Sequence, residues 1–187
     1  GAEYLDLRTA QSRFPKGSEL GMSCELALNS VSAPKKLFDV VLIDEAQDLD
    51  PRFLKLCYRS LGDVKRLVYA YDELQSLTEN SLPPPEEIFG RKEDGSPEVV
   101  LAPHELGRPS QDIILEKCYR NSRPVLATAH ALGFGIYRHP DPKTGTGLIQ
   151  MFDQARLWED VGYRVVDGEL QDGALVTLSR TPATSPE

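Results

Sequence analysis

Residues 39–50 read Asp-Val-Val-Leu-Ile-Asp-Glu-Ala-Gln-Asp-Leu-Asp, an apolar run followed at once by Asp44 and Glu45, with Gln47 and Asp48 just beyond. Val40, Val41, Leu42 and Ile43 are apolar without alternation, so a strand is expected that is covered on both faces, as parallel strands in α/β proteins are. The acids then fall at its carboxyl end, where open parallel sheets bind ligands. A carboxylate fixed there can hold Mg²⁺ through the ion's water shell. The next one can orient or deprotonate a water aimed at a terminal phosphate. On this reading Asp44 takes the first role and Glu45 the second. The same residues admit another reading, a solvated polar turn before the next helix. Asp50 followed by Pro51 predicts an N-cap with proline at the first helical position, which accounts for Asp50 and leaves the four polar side chains before it unexplained.

Downstream segments follow in a compatible order. A helix is expected over about 51–61, with Phe53, Leu54, Cys57 and Leu61 on one face, and then a second apolar strand, Arg66 to Ala70. Strand, crossover helix and strand of this length predict a right-handed βαβ unit with parallel strands. Asp72, just past the second strand, is then expected at the same edge as Asp44. Close by, the Gln75 amide can hydrogen-bond a phosphate oxygen or an attacking water.

With these segments in place the chain resembles the superfamily 1 helicases of the UvrD/Rep type. Asp44-Glu45-Ala46-Gln47-Asp48 is similar to their motif II, the Walker B element. Tyr71-Asp72-Glu73-Leu74-Gln75-Ser76-Leu77 is similar to motif III, with Tyr71 where glycine is usual. Leu115-Glu116-Lys117-Cys118-Tyr119-Arg120-Asn121-Ser122 is similar to motif IV, with Cys118 in place of asparagine. The resemblance covers roughly residues 37–137. It implies that Asp44 binds Mg²⁺, that Glu45 activates water, that Gln75 senses the γ-phosphate of ATP, and that Arg120 contacts that phosphate from a second RecA-like domain. Gln47 and Asp72 belong to the same nucleotide site, and Tyr119 shapes its pocket. The implied fold is α/β, a RecA-like P-loop NTPase with a parallel sheet flanked by helices. The implied partner, through a larger protein, is single-stranded or partly duplex DNA.

The departures bear on the same reading. No Gly-x-x-x-x-Gly-Lys-Ser/Thr segment occurs, so the phosphate-cradling loop and its lysine are missing from these residues. Nothing after residue 140 resembles the late arginine-bearing motif of the family. The chain is therefore read as an internal segment of an ATP-dependent helicase, not expected to hydrolyse ATP alone. Past Gln75, where the family has an aromatic and an arginine that stack on DNA, the sequence runs Thr78 to Pro85. Phe89 offers itself as a substitute, although a lone Phe is more often core.

The expected organisation is an accessory or preceding region over 1–36, the end of a first RecA-like domain over 37–82, a linker over 83–110, and the start of a second RecA-like domain over 111–187. The linker is read from Pro83-Pro84-Pro85 and a turn at Asp94-Gly95. In the second part a strand over about 112–116 leads to Arg120 and to a helix begun near Ser122 and Pro124. Gly162 to Leu170 and Ala174 to Leu178 are expected to form a hairpin, with Trp158 packed beneath it.

The net charge of −8 argues against a basic nucleic-acid surface spread over this chain. Cys24, Cys57 and Cys118 are odd in number and widely spaced, which suggests neither zinc nor a disulfide framework. A reducing, cytoplasmic setting follows as the expectation. His104, His130 and His139 show no ligand spacing and read as surface or packing residues. The longest apolar stretch, Val125 to Tyr137, is too short to cross a bilayer. Two other functional classes stay open from the residues: a non-catalytic module that keeps the fold, and a phosphodiesterase using Asp44, Glu45, Asp48 and Asp72 on two Mg²⁺ ions.

Overall fold

The computed structural model describes residues 5–31, 35–72, 75, 82–101, 110–133, 157–169 and 175–185. His104, His139, the 141–147 loop, the hairpin connection at 171–173 and most of the residues flanking Gln75 lie outside them. The chain divides into two compact units, residues 1–101 and 102–187.

The first unit begins with helices α1 (Leu7–Arg13) and α2 (Glu19–Ser30). Asp6 caps α1 by accepting the Thr9 N–H at 2.7 Å, and Arg13 sits in the last turn, where a cation suits the helix dipole. Strand β1 (Val41–Ile43) leads through a short 3₁₀ turn, Ala46–Asp48, to helix α3 (Pro51–Arg59). Asp50 is its N-cap, accepting the Arg52 N–H, with Pro51 at the first turn. Strand β2 (Leu67–Tyr69) then runs parallel to β1, in the register Val41↔Leu67, Leu42↔Val68 and Ile43↔Tyr69. Leu61, beyond the end of α3, is fully buried and bridges Phe38 in parallel fashion, extending the contact between the two segments.

Helix α2 packs on α3, and Gly21 is where they meet. A Cβ there would stand 2.0 Å from Asp50 Oδ2 and 2.4 Å from an Arg52 guanidinium nitrogen, so only glycine lets α2 approach the capped end of α3. Arg52 ties the two helices further by pairing with both Asp50 and Glu25. Within residues 1–36, read from sequence as the end of a preceding or accessory region, α2 lies directly against α3. Of the stretch 83–110 read as linker, residues 83–101 fall in this unit as well. Pro84 and Pro85 begin a short helix, α4 (Pro85–Phe89), which inserts Ile88 and Phe89 into the core formed with Ile43, Ala46 and Leu54. Phe89 is therefore a core residue, lying 4.9 Å from the Tyr58 ring centroid. A proline run can start a helix as readily as stiffen a connector, because proline at the first turn costs no hydrogen bond.

One expectation for β1 is overturned. The strand is covered on one face only: Val40, Leu42 and Val68 are 48%, 74% and 59% exposed, whereas Ile43 is buried. The packing comes from α3, α4 and the adjoining residues Ala46, Leu49, Leu82 and Val99.

In the second unit, helix α5 (Arg123–Gly133) follows the Tyr119–Arg120 segment. Strands β3 (Tyr163–Asp167) and β4 (Thr177–Arg180) form an antiparallel hairpin with an irregularity between Val165 and Asp167. Trp158, on the one-turn helix Leu157–Asp160, meets the Tyr163 ring edge-on at 5.3 Å, and His130 of α5 hydrogen-bonds the Tyr163 hydroxyl. The strand expected over 112–116 does not form. Ile113 and Leu115 are largely exposed there, and a strand needs a neighbour to take its backbone hydrogen bonds, which none of the described residues supplies. The described architecture is thus mixed α/β with two two-stranded sheets. No helix among these residues is long and apolar enough to cross a membrane.

Candidate functional site

Both parallel strands of the first unit end at the same edge, and their following loops are tied there. The Ala70 N–H donates to Ile43 O and the Ala46 N–H to Ala70 O, each at 2.9 Å, so the ladder continues one step past the strands. Between these bonds lie Asp44 and Glu45, both exposed. The Glu45 N–H donates to Asp44 Oδ1 at 3.0 Å. Glu45 itself adopts a left-handed backbone, φ 52° and ψ 43°, and no other non-glycine residue among those described has positive φ. That conformation costs a non-glycine residue about 1–2 kcal/mol. It swings the chain sharply from β1 into the 3₁₀ turn.

Gln47 carries the connection between the two loops. Its side chain is 6% exposed; Nε2 donates to Glu45 Oε2 at 2.6 Å, and Oε1 accepts the Asp72 N–H at 3.0 Å. Beyond it, Gln75 donates its amide to Asp72 Oδ2 at 2.6 Å and its backbone N–H to Asp72 O at 3.1 Å. A continuous chain of hydrogen bonds therefore runs Glu45, Gln47, Asp72, Gln75 across the ends of β1 and β2. Asp44 and Asp48 flank it on the exposed side, and Asp48 donates its N–H to Glu45 O. Gln47 stands behind the carboxylates as their tether, with both amide atoms engaged.

The described ion pairs place no Lys or Arg against Asp44 or Glu45. Asp44, an exposed residue, accepts the Glu45 N–H through Oδ1; an exposed carboxylate is a donor type that suits a hard cation held otherwise by waters and phosphate oxygens. Among the described residues no group of three or more His, Cys, Asp or Glu is arranged to enclose a metal ion.

Tyr119 and Arg120 belong to the second unit. Tyr119 is 78% exposed, with Lys117 Nζ 5.0 Å from its ring centroid, and Arg120 is exposed beside it, just ahead of α5. Their segment is held from behind. The Cys118 N–H donates to Thr184 O at 2.9 Å, Cys118 Sγ accepts the Asn121 N–H, and the buried Arg180 guanidinium reaches Glu116 O. Arg180 was not among the residues singled out by sequence. A signal existed: Val176, Leu178 and Arg180 follow a two-residue alternation into β4, which puts Arg180 on the same face as two apolar side chains.

Comparison with protein-family models, with curated proteins and with solved structures finds no match for this chain.

Proposed function

We propose that the chain is part of an ATP-dependent DNA helicase or translocase related to superfamily 1, and supplies the carboxylate edge of its nucleotide site. The observation that carries this reading is the Gln47 bridge, which couples the loop after β1 to the loop after β2 and aligns Asp44, Glu45, Asp72 and Gln75 along one edge of a parallel sheet. Such an edge is where α/β folds bind nucleotides. Asp44 would hold Mg²⁺, which neutralises charge on the phosphates when bound. Glu45, exposed and hydrogen-bonded by Gln47, would orient and deprotonate water. Gln75, hydrogen-bonded to Asp72, reports the state of the γ-phosphate, and Arg120 of the second unit contacts it. The phosphate loop has to come from another segment of polypeptide, because its sequence is not among these residues.

The test uses a polypeptide that joins this chain to a phosphate loop. Glu45→Gln should keep ATP binding and lose turnover by about 100-fold or more, because an amide preserves the shape and cannot take a proton. Arg120→Ala should slow turnover more than it weakens binding, since a cation aimed at the transferring phosphoryl group acts on the transition state. Undiminished ATPase activity in both variants would remove the reading. The 187-residue chain by itself should release no phosphate from ATP with Mg²⁺ and single-stranded DNA.

A further inference from the structure

The second unit contains a buried cation that the reading above leaves without a task. Arg180 is 8% exposed, lies at the end of β4, and has no carboxylate partner among the described ion pairs. Instead its guanidinium donates to three backbone carbonyls from separate parts of the unit: Glu116 O, Val161 O and, at 3.1 Å, Thr184 O. Its charged plane also lies over the Tyr163 ring, 4.9 Å from the centroid. Thr184 in turn accepts the Cys118 N–H, so Glu116 and Cys118 are gripped from the same side, two residues apart and immediately before Tyr119 and Arg120. Gly162 makes the close approach possible. Its φ of +92° suits glycine, and a Cβ there would come within 2.9 Å of Glu116 O.

We infer that Arg180 is a positioning residue for Arg120. Burying a guanidinium costs several kcal/mol unless its donors are satisfied; the two Nη groups reach three carbonyls, whereas the buried Nε has no partner among the described atoms. The guanidinium holds Glu116 O and Thr184 O holds the Cys118 N–H, and together they set the direction in which the exposed Tyr119–Arg120 pair leaves this segment. An irregular segment with no strand of its own at 112–116 gains from Arg180 the rigidity that a sheet would otherwise give. This inference rests on the proposed role of Arg120 at the γ-phosphate, and it adds that the hairpin sets the geometry of that contact.

Two measurements decide it. In the 187-residue chain, amide hydrogen exchange at Cys118, whose N–H is bonded to Thr184 O, should accelerate by about 10-fold or more in Arg180→Gln, while β3–β4 amides such as Val165 and Leu178 stay protected and show that the hairpin is folded. In the polypeptide joined to a phosphate loop, Arg180→Gln should lower kcat by about 10-fold or more with KM for ATP within about twofold, because a displaced contact weakens the transition state more than the ground state. Arg180→Lys should recover part of that loss. The double variant Arg180→Gln/Arg120→Ala should be no slower than Arg120→Ala alone, the mark of a residue that acts through another. Multiplying losses in the double variant, or unchanged exchange at Cys118, overturn the inference while leaving the nucleotide site standing. If Glu45→Gln and Arg120→Ala are themselves without effect, the proposed function falls and the positioning role falls with it.

Discussion

Replacing Gln47 by leucine tests the joint that holds the candidate site together. Leucine matches the buried volume and makes neither of the two hydrogen bonds, to Glu45 Oε2 at 2.6 Å and from the Asp72 N–H at 3.0 Å. A neutral N–H···O bond contributes about 0.5–1.5 kcal/mol net, and one to a charged group about 1.5–3 kcal/mol. Glu45 is exposed and regains water when its partner is lost, so its share falls at the low end; together the two bonds give about 2 kcal/mol. With a urea m value of about 1–3 kcal/mol/M, the unfolding midpoint should drop by roughly 1 M at unchanged slope. Gln47→Glu sharpens the test. It keeps the acceptor, loses the donor and sets a second carboxylate beside Glu45, so its deficit at pH 7 should exceed that of Gln47→Leu. Urea melts followed by circular dichroism read both effects. A Gln47→Leu midpoint indistinguishable from wild type would show that the two loops are tied by something else and would refute the bridge as the organiser of this edge.

Other expected outcomes follow from single contacts. Leu54 is fully buried at the centre of the first core, and Leu54→Ala should cost about 2–5 kcal/mol in denaturant unfolding; a loss below about 1 kcal/mol would mean that α3 does not pack on β1 as described. Gly21→Ala forces a methyl group onto Asp50 and Arg52, and should lower stability by about 1–3 kcal/mol in a thermal melt, whereas an unaffected melting temperature would show that α2 lies farther from α3. Hydrogen bonds from Arg52 hold the Asp50 carboxyl below its ordinary value of 3.8. A depressed folded-state pKa gives stability that is fully present above that value and fades as pH falls through the folded one, so Arg52→Gln should move the acid-unfolding midpoint upward; an unmoved midpoint counts against the cap. Burial pushes the Cys24 thiol up to about 11, and alkylation of Cys24 at pH 8 should be slow until denaturant is added. Rapid labelling of the folded chain would place that thiol outside the α2–α3 contact.

The local elements of the first unit were legible because each depends on neighbours in sequence. Asp50 and Pro51 define the start of α3 through one side-chain bond and one fixed φ, and the apolar runs at 40–43 and 66–70 mark β1 and β2 through residue type alone. Their parallel pairing followed from the length of the crossover. Grouping Asp44, Glu45, Gln47, Asp72 and Gln75 was open to sequence reasoning for the same reason, since two parallel strands must end on one edge. Their mutual hydrogen bonds were not, because which atom of Gln47 meets which loop depends on the left-handed turn at Glu45.

What tertiary structure alone decided concerns burial and distant contacts. An unbroken apolar run reports that a strand can be buried twice, and only the neighbours present determine whether it is; here Leu42 and Val68 remain open. The segment 83–101 carries the prolines, glycines and charges of a linker, and two residues within it, Ile88 and Phe89, were enough to fold it onto the core, because about 2 kcal/mol gained for each large side chain outweighs the composition of the rest. Residues 112–116 had the composition of a strand and lacked a partner. Arg180 shows the same limit from the other side: its alternation puts it on the same face as two apolar side chains, but the carbonyls of Glu116, Val161 and Thr184 that make the burial tolerable are brought to it by folding, from positions as far as 64 residues away. Sequence fixes what a side chain needs, and the fold decides who supplies it.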